Sequence, residues 1–91
     1  MLSIIPFDDD DQAIEIANST PYGLSGYVFT TNLRRAHRVA EELDAGEVLV
    51  NGAANLLANR PFGGIGISGM GKEGGRQGLD EFLRVKSISM A

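Results

Sequence analysis

Eight of the chain's twelve glycines fall between Pro61 and Gly78. A stretch this rich in glycine has few side chains to bury and loses the most backbone entropy on ordering. It reads as a long turning loop, which confines regular structure to the residues before it and a short tail after it. The whole chain is 91 residues, enough for one small domain. Such a domain hides only roughly 60–65% of the surface its unfolded chain exposes, so it is marginal without help. Cysteine is absent, which removes disulfides, thiolate metal sites and a cysteine nucleophile together.

The residues ahead of the loop alternate between two periodicities. Leu2 to Phe7 is apolar and β-branched and ends at proline and acid, which predicts a short strand. Asp8 to Asp11 then offers N-cap candidates, with negative charge where a helix dipole is positive. A helix follows to Asn18, with Ala13, Ile14 and Ala17 on one face. Pro21 forbids its continuation. Leu24 to Phe29 predicts a second strand, and Thr30, Thr31 or Asn32 caps a second helix reaching about Leu43. Leu33, Ala36, Val39, Ala40 and Leu43 form its apolar stripe, with Arg34, Arg35, Arg38, Glu41 and Glu42 on the wet side. Gly46 suits its end. Glu47 to Asn51 predicts a third strand. Beyond the loop, Arg76 to Phe82 predicts a short helix and Leu83 to Met90 a last alternating strand. Strand, helix, strand, helix, strand, with helices of crossover length, indicates an α/β fold with parallel pairing.

Charge narrows the function. Twelve acidic and eight basic residues give a formal net charge of −4, and Asp8 to Asp11 holds the densest acid. The tightest basic group is Arg34, Arg35 and Arg38, too small for the phosphate neutralisation that nucleic acid binding rests on. No apolar run approaches the ~20 residues of a membrane span. Met1 to Pro6 lacks the basic segment and apolar length of a signal peptide. The expectation is a cytoplasmic chain with no nucleic acid or membrane partner.

Several motifs have a functional and a plain reading. Gly64-Ile-Gly-Ile-Ser-Gly69 and Gly69-Met-Gly-Lys-Glu-Gly74 spell G-x-G-x-x-G, and Gly66 to Lys72 spells G-x-x-x-x-G-K. A dinucleotide fingerprint needs a strand before it, a helix after it and an acid about 20 residues on. Here a loop precedes it and 17 residues remain after Gly74. A phosphate loop needs Ser or Thr after its lysine, where this chain has Glu73. The glycines therefore read as conformational. Asp8 to Asp11 lacks the spacing of a calcium loop and reads as a helix cap. His37 has Glu41 four residues on, an exposed helix-face ion pair. Phe62, between proline and two glycines, fits either ordinary core or the wall of a pocket at the sheet's edge.

Taken together, the segments resemble the aldehyde dehydrogenase superfamily. Ala17-Asn-Ser-Thr-Pro-Tyr-Gly-Leu24 is similar to that family's Ala-Asn-x-x-x-Tyr-Gly-Leu segment, and Tyr27-Val-Phe-Thr30 to its following strand end. Leu43-Asp-Ala-Gly46 and Val48-Leu-Val-Asn51 match the next strand. Pro61-Phe-Gly-Gly64, Ser68-Gly-Met-Gly71 and Glu73 match the family's glycine-rich segment. Order and spacing agree from Ile4 to Ile88.

The resemblance implies an NAD(P)-dependent oxidation of an aldehyde to a carboxylic acid. In the family a cysteine thiolate attacks the aldehyde, hydride leaves for the nicotinamide, and a glutamate helps water hydrolyse the resulting thioester. The cysteine, the glutamate, the cofactor domain and a Glu-x-Phe-Gly-Pro segment all lie upstream in family members. The resemblance therefore assigns this chain no catalytic residue, no cofactor residue and no metal. NAD or NADP belongs to the intact enzyme. Residues 1–82 correspond to the C-terminal part of the catalytic domain and 83–91 to a terminal oligomerisation strand. The loop Ala54 to Phe62 corresponds to the substrate-anchor loop, so Phe62 and Leu56 would wall the aldehyde passage with Asn55 beside them. Asn51 corresponds to the asparagine supporting the active site at the strand end. Three departures stand out: Gly66 where many members have lysine, Lys72 where many have arginine, and Leu56 where some have an aromatic. The implied partners are further copies of the chain and the missing N-terminal part of the enzyme. Two other readings stay open: a non-enzymatic oligomeric module, and a small nucleotide- or phosphate-binding protein using the glycine loop.

Overall fold

The structure, a computed structural model, describes residues 1–53 and 56–91. Its element order is α1 (Asp10–Asn18), β1 (Tyr22–Gly23), β2 (Ser25–Val28), α2 (Leu33–Glu42), β3 (Glu47–Val50), β4 (Ile65–Gly66) and α3 (Gly75–Asp80).

Both long helices begin where side-chain caps put them. The Asp9 carboxylate accepts from the Gln12 amide at 2.8 Å, and the Asn32 side chain accepts from the Arg35 amide at 3.0 Å. Each satisfies one of the amides that a helix start leaves without a partner.

β2 and β3 pair in parallel, Ser25 opposite Glu47 through Val28 opposite Val50. α2 is the crossover between them. It seats closely because Gly26 has no side chain: a Cβ there would lie 3.1 Å from Leu43 Cδ1. The ladder continues past both ends, with Gly46 N donating to Gly23 O at 3.0 Å and Asn51 N to Val28 O at 2.9 Å. The fold is α/β, as expected.

α1 lies against α2 through charged and polar contacts. Arg35 Nε donates to Asp10 at 2.7 Å, and Arg38 pairs with both Asp11 and Glu42. The hydrogen bonds it donates to these two carboxylates, Asp11 first, hold the Arg38 guanidinium still more firmly protonated than usual. Asn18 adds a neutral clasp. Its Nδ2 donates to Glu42 O and its Oδ1 accepts from Asp44 N, both at 2.8 Å.

The buried apolar residues are Ile14, Ala36 and Leu49, at 8%, 5% and 9% exposure. Leu2, Phe7, Phe29, Leu33, Phe82, Val85 and Ile88 are all exposed. The radius of gyration is 17.1 Å and the extents are 65 × 29 × 24 Å. A compact chain of this length would have a radius near ~12 Å, so the ends reach well beyond the packed centre.

Several expectations need correction. Residues 2–7 and 83–90 form no strand. A strand exists only against a partner ladder, and the described residues bring none to either segment. The last helix is Gly75–Asp80, earlier and shorter than expected. Ala17 and Leu33, placed on apolar faces, are exposed. Among the described residues the helix ion pair forms at Arg38–Glu42, not His37–Glu41. Arginine's fork serves Glu42 and Asp11 together, which one imidazole does not match.

Candidate functional site

The carboxyl ends of β2 and β3 carry the first part of the site. Residue 51 leaves β3 with a φ of 52°, in the left-handed region, where asparagine is among the few side chains tolerated. Its side chain turns back onto the neighbouring strand's end. Asn51 Oδ1 accepts from Thr30 N and Asn51 Nδ2 donates to Thr30 O, both at 2.8 Å. This amide-to-backbone clamp takes over from the ladder where the strands stop. Beside it lies a hollow lined by Phe29, Thr30, Thr31, Leu33, Ala36, Val50 and Asn51. Open α/β sheets characteristically take ligands outside the carboxyl ends of their strands.

The glycine-rich segment forms the second part, and it is closed upon itself. Phe62 N donates to Glu73 O at 2.7 Å and Glu73 N to Phe62 O at 2.8 Å, an antiparallel bridge joining the ends of a loop. Lys72 Nζ donates to Gly63 O at 2.8 Å and Gly64 O at 3.0 Å. The loop's far side is pinned to β1: Tyr22 pairs with Gly66 and Gly23 with Ile65. Ser68 Oγ accepts from Gly23 N at 2.8 Å. Backbone packs on backbone, since a Cβ on Gly46 would lie 1.8 Å from Gly63 O. Only glycine permits that approach.

Phe62 is thus half-buried with its backbone fixed on both sides. Leu56 is 62% exposed. Asn55 lies outside the described residues. Asn51 lines the hollow at the strand ends, whereas Phe62 and Leu56 are not among its walls. A longer groove runs between the helices and β2, lined by Ile14, Leu24, Val28, Val39 and Leu43, among others. Asn51, Leu56 and Phe62 do not line it. Sequence reasoning gave no site role to Thr30, Ser68 or Lys72. Their roles come from contacts across 21, 45 and 9 residues of chain, which no local motif encodes.

The loop does not fit a dinucleotide or phosphate. Its lysine is spent on two backbone carbonyls of its own loop, and its entrance is sealed by the Phe62–Glu73 bridge. Among the described residues no three His, Cys, Asp or Glu side chains gather as metal ligands. No described helix is long and apolar enough to cross a membrane.

This arrangement of elements superposes on solved structures of oxidoreductases. The sequence profile of the aldehyde dehydrogenase family matches residues 1–88, and the chain belongs to that family. It is 49% identical over 88 residues to a 3-succinoylsemialdehyde-pyridine dehydrogenase of a Pseudomonas species, covering 97% of this chain and 18% of that one. The crystal structure of an indole-3-acetaldehyde dehydrogenase in apo form superposes with a TM-score of 0.89 at 42% identity. That match covers 94% of this chain and 20% of the other. The NAD+ complex of an aldehyde dehydrogenase from Bacillus cereus gives a TM-score of 0.87 at 43% identity, covering 92% and 17%. The chain therefore spans under a fifth of the length of the curated relative, and NAD+ is bound in solved structures of the family.

Proposed function

We propose that this chain supplies the substrate-facing and assembly end of an NAD(P)-dependent aldehyde dehydrogenase that oxidises an aldehyde to a carboxylic acid. The observation that carries the reading is the family match over residues 1–88 in a chain without cysteine. The family's reaction begins at a thiolate, so the 91-residue chain is inactive alone. Residues 1–82 complete the catalytic domain and 83–91 serve subunit assembly. Phe62, Leu56 and Asn55 face the aldehyde, and Asn51 supports the site from the strand ends.

The chain's own residues do positional work in this scheme. The Phe62–Glu73 bridge and the Lys72 contacts hold the Phe62 backbone still, which keeps an aromatic wall in place at little entropic cost on binding. The clamp on Thr30 fixes the strand ends. NAD or NADP is held elsewhere in the enzyme, because the glycine loop is occupied by its own chain. The cofactor accepts hydride in the family's reaction.

The unpaired apolar segments 2–7 and 83–90 support self-association or docking onto the rest of the enzyme. The test is direct. The purified chain, incubated with aldehydes and NAD+ or NADP+, should form no reduced cofactor. Aldehyde-dependent turnover above a blank overturns the reading.

A further inference from the structure

The same clamp that orders the strand ends sits on a reactive dipeptide. The chain has five asparagines, at positions 18, 32, 51, 55 and 59, and only Asn51 is followed by glycine. A backbone nitrogen can attack the side-chain carbonyl of the residue before it. Without a Cβ on the attacking residue the approach is open, so Asn–Gly is the dipeptide in which this cyclisation is easiest. Here Asn51 is exposed and stands outside regular structure. The Gly52 N–H donates no hydrogen bond among the described residues.

The brake is on the other partner. Asn51 Nδ2 must leave as ammonia, and it is held on Thr30 O, while Oδ1 is held by Thr30 N. Both bonds fix the carboxamide against Thr30 and keep Cγ from swinging toward Gly52.

We propose that Asn51 is a site of spontaneous deamidation, driven by Gly52 and timed by the opening of its clamp on Thr30. The Gly52 nitrogen bonds to Asn51 Cγ and gives up its proton. The Cγ–Nδ2 bond breaks, and ammonia departs with that proton. Water then opens the cyclic imide at one carbonyl or the other, leaving aspartate or isoaspartate. Amide and water become carboxylate and ammonium, with no oxidant and no enzyme. The product carboxylate still accepts from Thr30 N but has lost the donor for Thr30 O, and it faces that carbonyl with negative charge. The hollow lined by Phe29, Thr30 and Val50 gains an anion, and isoaspartate also lengthens the backbone where β3 ends. The chemistry needs only this chain and water, so it stands apart from the oxidoreductase reading.

The test is tandem mass spectrometry of the full 91-residue chain aged at mildly alkaline pH, in native buffer and in concentrated urea. Amide-to-acid conversion in native buffer should appear at Asn51 ahead of the other four asparagines. Urea should speed it several-fold at Asn51 by opening the clamp. Gly52→Ala should suppress it in both media. That variant is sterically mild, since the added Cβ would lie 3.7 Å from Val50 O, an ordinary contact, and Gly52 has no positive φ. Conversion at Asn51 no faster than elsewhere in native buffer, or unaffected by Gly52→Ala, overturns the site. Equal rates in buffer and urea overturn the clamp as its timer.

Discussion

At the scale of single residues, two positions carry more than their size suggests. Asn51 combines a left-handed backbone with two hydrogen bonds to one peptide unit. Asn51→Ala loses both bonds and keeps the strained φ, so it should cost about 1–3 kcal/mol in urea unfolding. Asn51→Gly loses the bonds but relaxes the backbone, and should cost measurably less. An equal loss for both would show that φ contributes nothing. Gly46 is the second position. With 1.8 Å between its virtual Cβ and Gly63 O, Gly46→Ala must push the glycine loop away, at about 1–3 kcal/mol. Hydrogen exchange should report this as faster exchange at the Phe62 and Glu73 amides, which close the loop, with little change at the β2–β3 ladder.

At the scale of elements, the contact between the helices has a neutral and a charged part. Asn18 ties the end of α1 to Glu42 O and Asp44 N, whereas the arginine pairs are exposed and screened by salt. Asn18→Ala should cost about 1–2 kcal/mol. Molar salt should move the thermal midpoint of the parent chain by less than that substitution does. The reverse order would make the ion pairs the main tie. These elements were also the most legible in the sequence. α1, β2, α2 and β3 announce themselves through local caps and periodicity, and the sequence-based bounds fall within a residue or two of the observed ones. The β1–β4 pairing was not legible, because each strand is two residues long and the partners lie some forty residues apart. Leu2 to Phe7 and Leu83 to Met90 have strand-like composition, but composition cannot supply the neighbour a strand requires. The site divides the same way. Asn51 was found from a motif, whereas its bond to Thr30 and the capture of Lys72 by Gly63 and Gly64 exist only once the chain is folded.

At the scale of the whole molecule, the packed centre is small and the apolar surface large. Among the described residues three apolar side chains are buried while Leu2, Phe7, Phe82, Val85 and Ile88 stand in solvent, an arrangement that favours association. Sedimentation of the purified chain should therefore show concentration-dependent oligomers, diminished when residues 83–91 are removed. A monomer at high concentration would count against it. The excursion between the strand ends and the glycine loop has a different consequence. It is moored at Asn51 by the clamp on Thr30, and again from residue 57 onward, where Arg60 N donates to Leu57 O and Gly75 N to Ala58 O. All these moorings end on backbone atoms, which every residue type supplies. The side chains of Thr30, Leu57 and Ala58 can therefore be exchanged while the moorings they carry are kept.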